Sequence, residues 1–241
     1  MKQKIQLILC AILGILVLFP KSQSQSVMKK ESDKVMYLTF DDGPSQNTEK
    51  ILDILDQYHI KATFFVTAEH KGYLDMIHQA HERGHMIGVH TYSHDYEKIY
   101  QSSEAYFKDL EQMNDIIEQQ IGHRVKIMRF PGGSSNTISK KYHNGIMTKL
   151  TKEVLEKGYQ YYDWNASNGD GNSYFDKNTL IETGKREVQG KDRVMMLMHD
   201  AGNNKATLEA LPILLSYYQS LGYEFKVIEE DCEVFHHHVA N

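Results

Sequence analysis

Short apolar runs alternate with amphipathic stretches along the chain from residue 35 onward. Runs typical of buried strands occur at residues 35–40, 63–66, 86–89, 125–130, 159–162, 194–198 and 223–228. Apolar positions at helical spacing predict helices over residues 48–58, 73–83, 103–121, 142–157, 178–188 and 207–221. Strands that alternate with helices in this way predict a single α/β domain with a parallel sheet, either a barrel or a doubly wound fold.

The first nineteen residues have a different pattern. Lys2 and Lys4 precede an apolar run over residues 5–19, and Pro20 with a Ser/Gln stretch follows it. This order is typical of a secretory signal, and the run is short for a spanning helix, which needs about twenty residues. We therefore expect residues 1–19 to be a signal peptide or an uncleaved N-terminal membrane anchor. Residues 20–33 would be a linker, 34–230 a folded domain outside the cytoplasm, secreted or anchored, and 231–241 a tail.

Composition narrows the class of protein further. The 241 residues carry a net charge of −5, which speaks against a basic nucleic-acid-binding surface. Two cysteines exclude a disulfide-dense fold and a Cys₄ zinc site, whereas thirteen histidines leave room for a site built from imidazole. No amphipathic or charge-run signal indicates a protein partner, so we expect a monomer.

Carboxylate, imidazole and guanidinium side chains lie at the ends of the predicted strands. These ends are Asp41–Asp42, His90 and His94, Arg129 to Pro131, Asp163–Trp164 leading to Asp170, and His199–Asp200. In parallel α/β folds these ends meet on one rim, where the chemistry collects. Two adjacent carboxylates there need a cation or a proton to offset their repulsion. One carboxylate with two imidazoles forms a three-ligand metal site with open positions, which is typical of a catalytic metal.

Four motifs in this order carry a resemblance to a known family. They are TFDDGP at residues 39–44, HTYSH at 90–94, RFP at 129–131 and LMH at 197–199. The span from about residue 34 to residue 228 resembles the polysaccharide deacetylases of carbohydrate esterase family 4, the NodB-homology domain. The resemblance implies a distorted (β/α) barrel of seven or eight parallel strands. It also implies a divalent metal, usually Zn²⁺ with Co²⁺, Mn²⁺ or Ni²⁺ as alternatives, and hydrolysis of acetyl groups on glycans.

Carried over residue by residue, the resemblance implies that Asp42, His90 and His94 hold the metal. Asp41 would stay off the metal and act as general base on a metal-bound water. Arg129 would pair with this base and keep it ionised.

The resemblance also implies that His199 is the general acid that protonates the leaving amine. The family has an aspartate that orients this histidine, and both Asp163 and Asp170 fit. We favour Asp170, because Asp163 falls within or at the very end of a strand. Trp164 either lines the sugar groove or belongs to the core, and we favour the groove.

The third motif departs from the family's pattern. An aromatic residue usually follows the proline, whereas here Gly132 and Gly133 follow Pro131. We expect flexible backbone to replace one wall of the sugar groove, with Pro131, Asp163 and Trp164 as candidate substrate-binding residues. The substrate preference stays open for this reason.

The leading hypothesis is a metal-dependent N-deacetylase acting on an N-acetylglucosamine polymer such as peptidoglycan, a chitin-type glycan or poly-N-acetylglucosamine. An O-acetyl xylan or glycan esterase is the alternative that uses the same site. A non-catalytic glycan-binding domain is the third reading, and the complete set of catalytic residues argues against it.

Overall fold

The computed structural model describes residues 33–202, 204–229 and 232–241. The strands of this part of the chain are β1 (Val35–Asp41), β2 (Thr63–Val66), β3 (Met86–Val89), β4 (Ile127–Met128), β5 (Gln160–Tyr161), β6 (Ala166–Ser167), β7 (Arg193–His199) and β8 (Glu224–Lys226). Its α-helices are α1 (Thr48–Gln57), α2 (Asp75–Glu82), α3 (Tyr96–Ile99), α4 (Ser103–Ile121), α5 (Ile146–Glu156), α6 (Lys177–Glu187) and α7 (Lys205–Ser220). Single 3₁₀ turns lie at Lys71–Tyr73 and Ile138–Lys141.

The predicted leader, residues 1–19, and the predicted linker up to residue 32 lie outside the described residues. None of the helices within the described ranges is long and apolar enough to cross a bilayer.

All strand pairs of the sheet are parallel, in the order β5-β4-β3-β2-β1-β7-β6, and β8 pairs with the first residues of β1. The sheet curls into an open barrel with β5 and β6 at its two edges. The prediction of a distorted (β/α) barrel is therefore confirmed. β1 lies between β2 and β7, and its register with β7 sets Asp41 directly beside His199.

The strands are buried because helices cover the sheet. Every residue of β1 and β2 is buried, as expected for parallel strands with near-continuous apolar runs. Phe40 of β1 and Phe64 of β2 stack with ring centroids 5.1 Å apart. The amphipathic helices add their apolar faces, for example Ile51 and Leu55 of α1. Each such side chain contributes about 1.5–3 kcal/mol when it is fully buried.

Two short elements escape the sequence prediction. β6 has two residues and α3 has four, so neither is long enough to show a period. The helix predicted from residue 142 begins instead at Ile146, because Gly145 adopts a left-handed conformation with φ 81° in front of it.

The last ten residues pack against the domain. The backbone N–H of Asp163 donates to the Phe235 carbonyl over 2.7 Å, and the His236 ring stacks on Tyr161 at 3.7 Å. The carbonyl of Asn241 accepts from the N–H of Thr148 over 2.6 Å. These contacts cover β5 and the segment that follows it.

Candidate active site

Two adjacent carboxylates end β1 and reach a common centre. Successive side chains of a strand point to opposite faces, so Asp41 and Asp42 would diverge if the strand continued. Asp42 has φ 72°, however, in the left-handed region where non-glycine residues are uncommon. As a result His90 Nε2 lies 3.9 Å from Asp41 Oδ2 and 3.5 Å from Asp42 Oδ1.

Asp42, His90 and His94 form a three-ligand cluster. Asp42 Oδ1 lies 3.5 Å from His90 Nε2 and 3.4 Å from His94 Nε2, and one donor atom from each residue lies within 4.8 Å of the others. The Nδ1 atom of His90 donates to the carbonyl of Arg129 over 2.8 Å, since a carbonyl can only accept. This bond leaves Nε2 as the lone-pair nitrogen that faces the centre. One carboxylate and two imidazoles fit a divalent metal such as Zn²⁺.

The charge state of the cluster also suits a cation. Burial lowers the pKa of His90, against the pull of the Asp41 carboxylate, and keeps its imidazole neutral, which is the form that binds metals. Burial alone would raise the pKa of Asp42, but the imidazoles of His90 and His94 outweigh it and lower that pKa. Asp42 is therefore ionised at neutral pH.

A buried ion pair holds Asp41. Arg129 is fully buried, and its Nη1 donates to Asp41 Oδ1 over 2.8 Å and to Thr39 Oγ1 over 2.6 Å. Its Nε donates to the carbonyl of Tyr162 over 2.8 Å, and its Nη2 to the carbonyl of Asp163 over 3.0 Å. The planar guanidinium is thus fixed by directional bonds, which suits arginine and not lysine. Asp41 keeps its second oxygen for the centre.

His199 and Asp170 form the second charged pair of the rim. His199 Nδ1 donates to Asp170 Oδ1 over 2.7 Å, and Asp170 Oδ2 accepts from the His199 backbone N–H at 2.9 Å and from Thr207 Oγ1 at 2.8 Å. Burial lowers the pKa of His199, but the hydrogen bond and charge of Asp170, helped by Asp42 and Asp41, raise it to about 9. The imidazole is therefore protonated at neutral pH, as a general acid requires.

Asp163 binds a different part of the chain from the one that Asp170 binds. Its carboxylate accepts from the backbone N–H of Ser134 at 2.8 Å, from Ser134 Oγ at 2.5 Å and from the backbone N–H of His237 at 2.8 Å. It therefore joins the loop after Pro131 to the last residues of the chain. Of the two aspartates open in the sequence, the structure brings Asp170 against His199.

Neither Trp164 nor Pro131 is among the described residues that line the cleft of Asp42 and His199. The Trp164 ring lies 5.7 Å from the guanidinium of Arg129 and stands edge-on to His237 at 4.7 Å. It lines a cavity of about 600 Å³ with Phe235 and His237. The cleft of Asp42 and His199 is separate, with a volume of about 340 Å³, and Asp170 also lines it. Pro131 is buried, and its carbonyl accepts from the Tyr100 hydroxyl over 2.8 Å.

Sequence reasoning gave no role to Asp200, which the structure places under the Asp41–Asp42 turn. Its fully buried carboxylate accepts from Ser45 Oγ at 2.7 Å and from Thr48 Oγ1 at 2.5 Å. A Cβ atom at position 43 would lie 2.4 Å from Asp200 Oδ2, so Gly43 must be glycine there. The only available signal is the position of Asp200 directly after His199.

Comparisons with known proteins identify the family of the chain. A family model described as polysaccharide deacetylase matches residues 28–149. The chain is 30% identical over 205 residues to a peptidoglycan-N-acetylglucosamine deacetylase of Bacillus cereus, which covers 82% of this chain and 70% of that protein.

Solved structures give the same result. The catalytic domain of peptidoglycan N-acetylglucosamine deacetylase from Eubacterium rectale superposes with a TM-score of 0.84 at 43% identity, covering 86% of this chain and 94% of that one. The Xyl-CE4 domain of a multidomain xylanase from the hindgut metagenome of Trinervitermes trinervoides gives a TM-score of 0.65 at 25% identity, covering 81% and 87%. The chain belongs to the polysaccharide deacetylase family, and the resemblance seen in its motifs is confirmed. It is a hydrolase of the class that removes acetyl groups from glycans.

Proposed function

We propose that the protein is an extracytoplasmic, divalent-metal-dependent deacetylase that hydrolyses N-acetyl groups of an N-acetylglucosamine-containing glycan. The observation that carries the proposal is the convergence of three groups on one rim. These groups are a carboxylate held by a buried arginine, a three-ligand cluster, and an imidazole held by a carboxylate.

Asp42, His90 and His94 would hold the metal, with Zn²⁺ favoured by the donor set and Co²⁺, Mn²⁺ or Ni²⁺ as alternatives. When bound there, a divalent cation supplies positive charge that polarises the acetyl carbonyl and makes water more acidic.

Asp41 is the general base of this proposal. Its carboxylate takes a proton from the water that adds to the acetyl carbon. The ion pair with Arg129 fixes one oxygen, so the other is directed at the centre. Because Asp41 is nearly fully buried, this orientation is not averaged by solvent.

His199 is the general acid. An amide nitrogen leaves poorly until it is protonated, so the C–N bond breaks as the imidazolium gives its proton to that nitrogen. Asp170 holds Nδ1 and so leaves Nε2 to deliver the proton. The products are acetate and a free amine on the sugar.

Peptidoglycan is the substrate that the comparisons favour, because relatives of this chain carry that name. Chitin-type glycans and poly-N-acetylglucosamine contain the same acetylated sugar. The N-terminal apolar run supports export, with the domain secreted or held at the membrane. The protein would act as a monomer.

Acetate release from peptidoglycan, chitopentaose and acetylxylan tests the proposal. We expect release from the first two, and Asp41→Asn should abolish it while metal content stays unchanged. Asp42→Ala or His94→Ala should lose both metal and activity, and these variants are matched to the first because all three lie on the same centre. An active Asp41→Asn enzyme would contradict the assignment of the base.

An O-acetyl esterase is the second candidate, favoured by the similarity to the domain of a xylanase. An ester has a better leaving group than an amide and depends less on the acid. On matched N- and O-acetylated oligosaccharides, His199→Ala should therefore slow an amidase far more. Wild-type turnover of acetylxylan well above that of chitopentaose would replace the N-deacetylase assignment.

A further inference from the structure

Tyr96 is held rigidly beside the three-ligand cluster. It is the first residue of α3, whose N-terminus is capped by the Asp95 carboxylate through the N–H groups of the next turn. Its ring stands edge-on to His94 at 5.7 Å between centroids and to Tyr100 at 5.4 Å. Because Tyr100 is fully buried, the Tyr96 ring is packed between the core and a metal-ligand candidate.

The hydroxyl end of Tyr96 reaches the loop that lacks the family's aromatic side chain. A Cβ atom at position 132 would lie only 2.5 Å from the Tyr96 hydroxyl oxygen, and Gly132 has φ 74°. Glycine is therefore required at 132 for two reasons, its backbone conformation and the presence of the tyrosine. The space that a side chain at 132 would enter is already occupied by the phenol of Tyr96 from α3.

The Tyr96 hydroxyl group can donate a hydrogen bond that no described residue accepts. Among the residues that the structure describes, none accepts a hydrogen bond from the Tyr96 hydroxyl, and the residue is partly exposed. Its neighbour Tyr100 differs, since that hydroxyl donates to the Pro131 carbonyl over 2.8 Å. The same bond ties α3 to the loop at residues 131–133, so the Tyr96 hydroxyl is kept next to Gly132.

We propose that Tyr96 contacts the substrate and donates a hydrogen bond from its hydroxyl to the oxygen of the acetyl group. This inference rests on the proposed function. The acetyl group must reach the three-ligand cluster, and Tyr96 touches that cluster through His94. His199 lies beside Asp41 on the neighbouring strand and serves the nitrogen of the amide. A donor that strengthens its bond as negative charge grows on the oxygen accelerates the reaction more than it improves binding.

Tyr96→Phe tests the role, because it removes the hydroxyl and keeps the ring against His94. We expect unchanged metal content and a loss of about tenfold or more in kcat for chitopentaose, with little change in KM. Tyr217→Phe is the matched control, since Tyr217 lies near the C-terminal end of α7 and contacts Lys185 of α6, and it should behave as wild type.

Acetate binding provides a readout that does not depend on turnover. By calorimetry on the Zn²⁺-loaded protein, Tyr96→Phe should weaken acetate binding about tenfold, as expected for loss of one hydrogen bond to a charged group. If wild type and Tyr96→Phe share both kcat and acetate affinity, the inference is overturned while the proposed function stands. If wild type releases no acetate from any glycan, the proposed function fails. In that case, equal acetate affinities of wild type and Tyr96→Phe would also overturn the inference about Tyr96.

A double-mutant cycle checks the geometry. Gly132→Ala places a methyl group against the Tyr96 hydroxyl and should displace it. Tyr96→Phe added to Gly132→Ala should therefore cost much less in kcat than it does alone, since neighbouring sites are not additive. Full additivity would show that the hydroxyl does not lie where the inference needs it.

Discussion

The protonation of His199 makes the free energy of unfolding depend on pH in a defined direction. In the folded protein the pKa of His199 is about 9, against an ordinary value of 6.5. The folded state therefore holds this proton more tightly than the unfolded chain does. The stabilisation is fully present below pH 6.5 and is lost as the pH rises through 9.

The size of the effect follows from the two pKa values. A pKa of about 9 in place of 6.5 corresponds to about 3 kcal/mol of stabilisation. The His199 side chain is 20% exposed and its Asp170 partner fully buried, so solvent screens this interaction only weakly.

Urea unfolding at pH 6 and at pH 10, for wild type and for His199→Gln, measures the effect. The difference in unfolding free energy between the two proteins should shrink by about 3 kcal/mol from the lower to the higher pH. Contributions that the two proteins share cancel in this difference. A chelator is included, because a cation on the three ligands would repel the imidazolium.

Two aspartate variants test whether Asp170 causes the raised pKa of His199. In Asp170→Asn the pKa of His199, followed by NMR, should fall, because burial then acts with less opposition. Asp163→Asn should leave that pKa near 9, since Asp163 bonds to Ser134 and His237 instead. A pH-independent difference between wild type and His199→Gln, or an Asp163→Asn variant with the larger pKa change, would refute the reasoning.

The remaining predictions concern buried polar contacts and are all measured as changes in the free energy of unfolding by urea titration. Arg129→Met should lower the free energy of unfolding by about 3–5 kcal/mol, because the Asp41 carboxylate stays buried without its partner. Adding Asp41→Asn should recover part of this loss. An unchanged stability of Arg129→Met would contradict the ion pair. Gly43→Ala should cost about 1–3 kcal/mol by overpacking against Asp200, and less when Asp200→Ala is present; additive costs would contradict the contact. Asn114→Ala should cost about 2 kcal/mol, because its side chain bonds the backbone N–H and carbonyl just before β4, and a neutral result would contradict those bonds.

Apolar patterning was enough to place the main strands. The runs predicted at 63–66 and 86–89 coincide with β2 and β3, since each is a short apolar run followed by polar residues. β6 could not be predicted, because side-chain bonds help to hold its neighbour. Asn165 Oδ1 accepts from the N–H of Met195 over 2.9 Å, and its Nδ2 donates to the carbonyl of Arg193 over 2.9 Å. Such pairing depends on residues that are distant in the sequence.

The chemistry of the rim was readable from residue types at strand ends, whereas the sequence narrowed the partner of His199 only to two aspartates, with Asp170 favoured. Whether Asp163 or Asp170 meets His199 depends on the path of the chain after β5, for which no periodicity exists. Tyr96 was overlooked for a related reason: nothing in the sequence indicates that a residue after His94 reaches the loop at Gly132. The backbone at Gly132, expected to replace one wall of the groove, lies next to this aromatic ring.

The register of β1 and β7 has a consequence for how this enzyme class can vary. Asp41 and His199 occupy paired positions on neighbouring strands, so their backbones are about 4.8 Å apart, the ordinary spacing of a sheet. The separation of the proposed general base and general acid is therefore a property of the backbone ladder. Loops around the rim can lengthen, shorten or exchange side chains, and so change which polymer enters. The distance between the backbones of Asp41 and His199 stays the same.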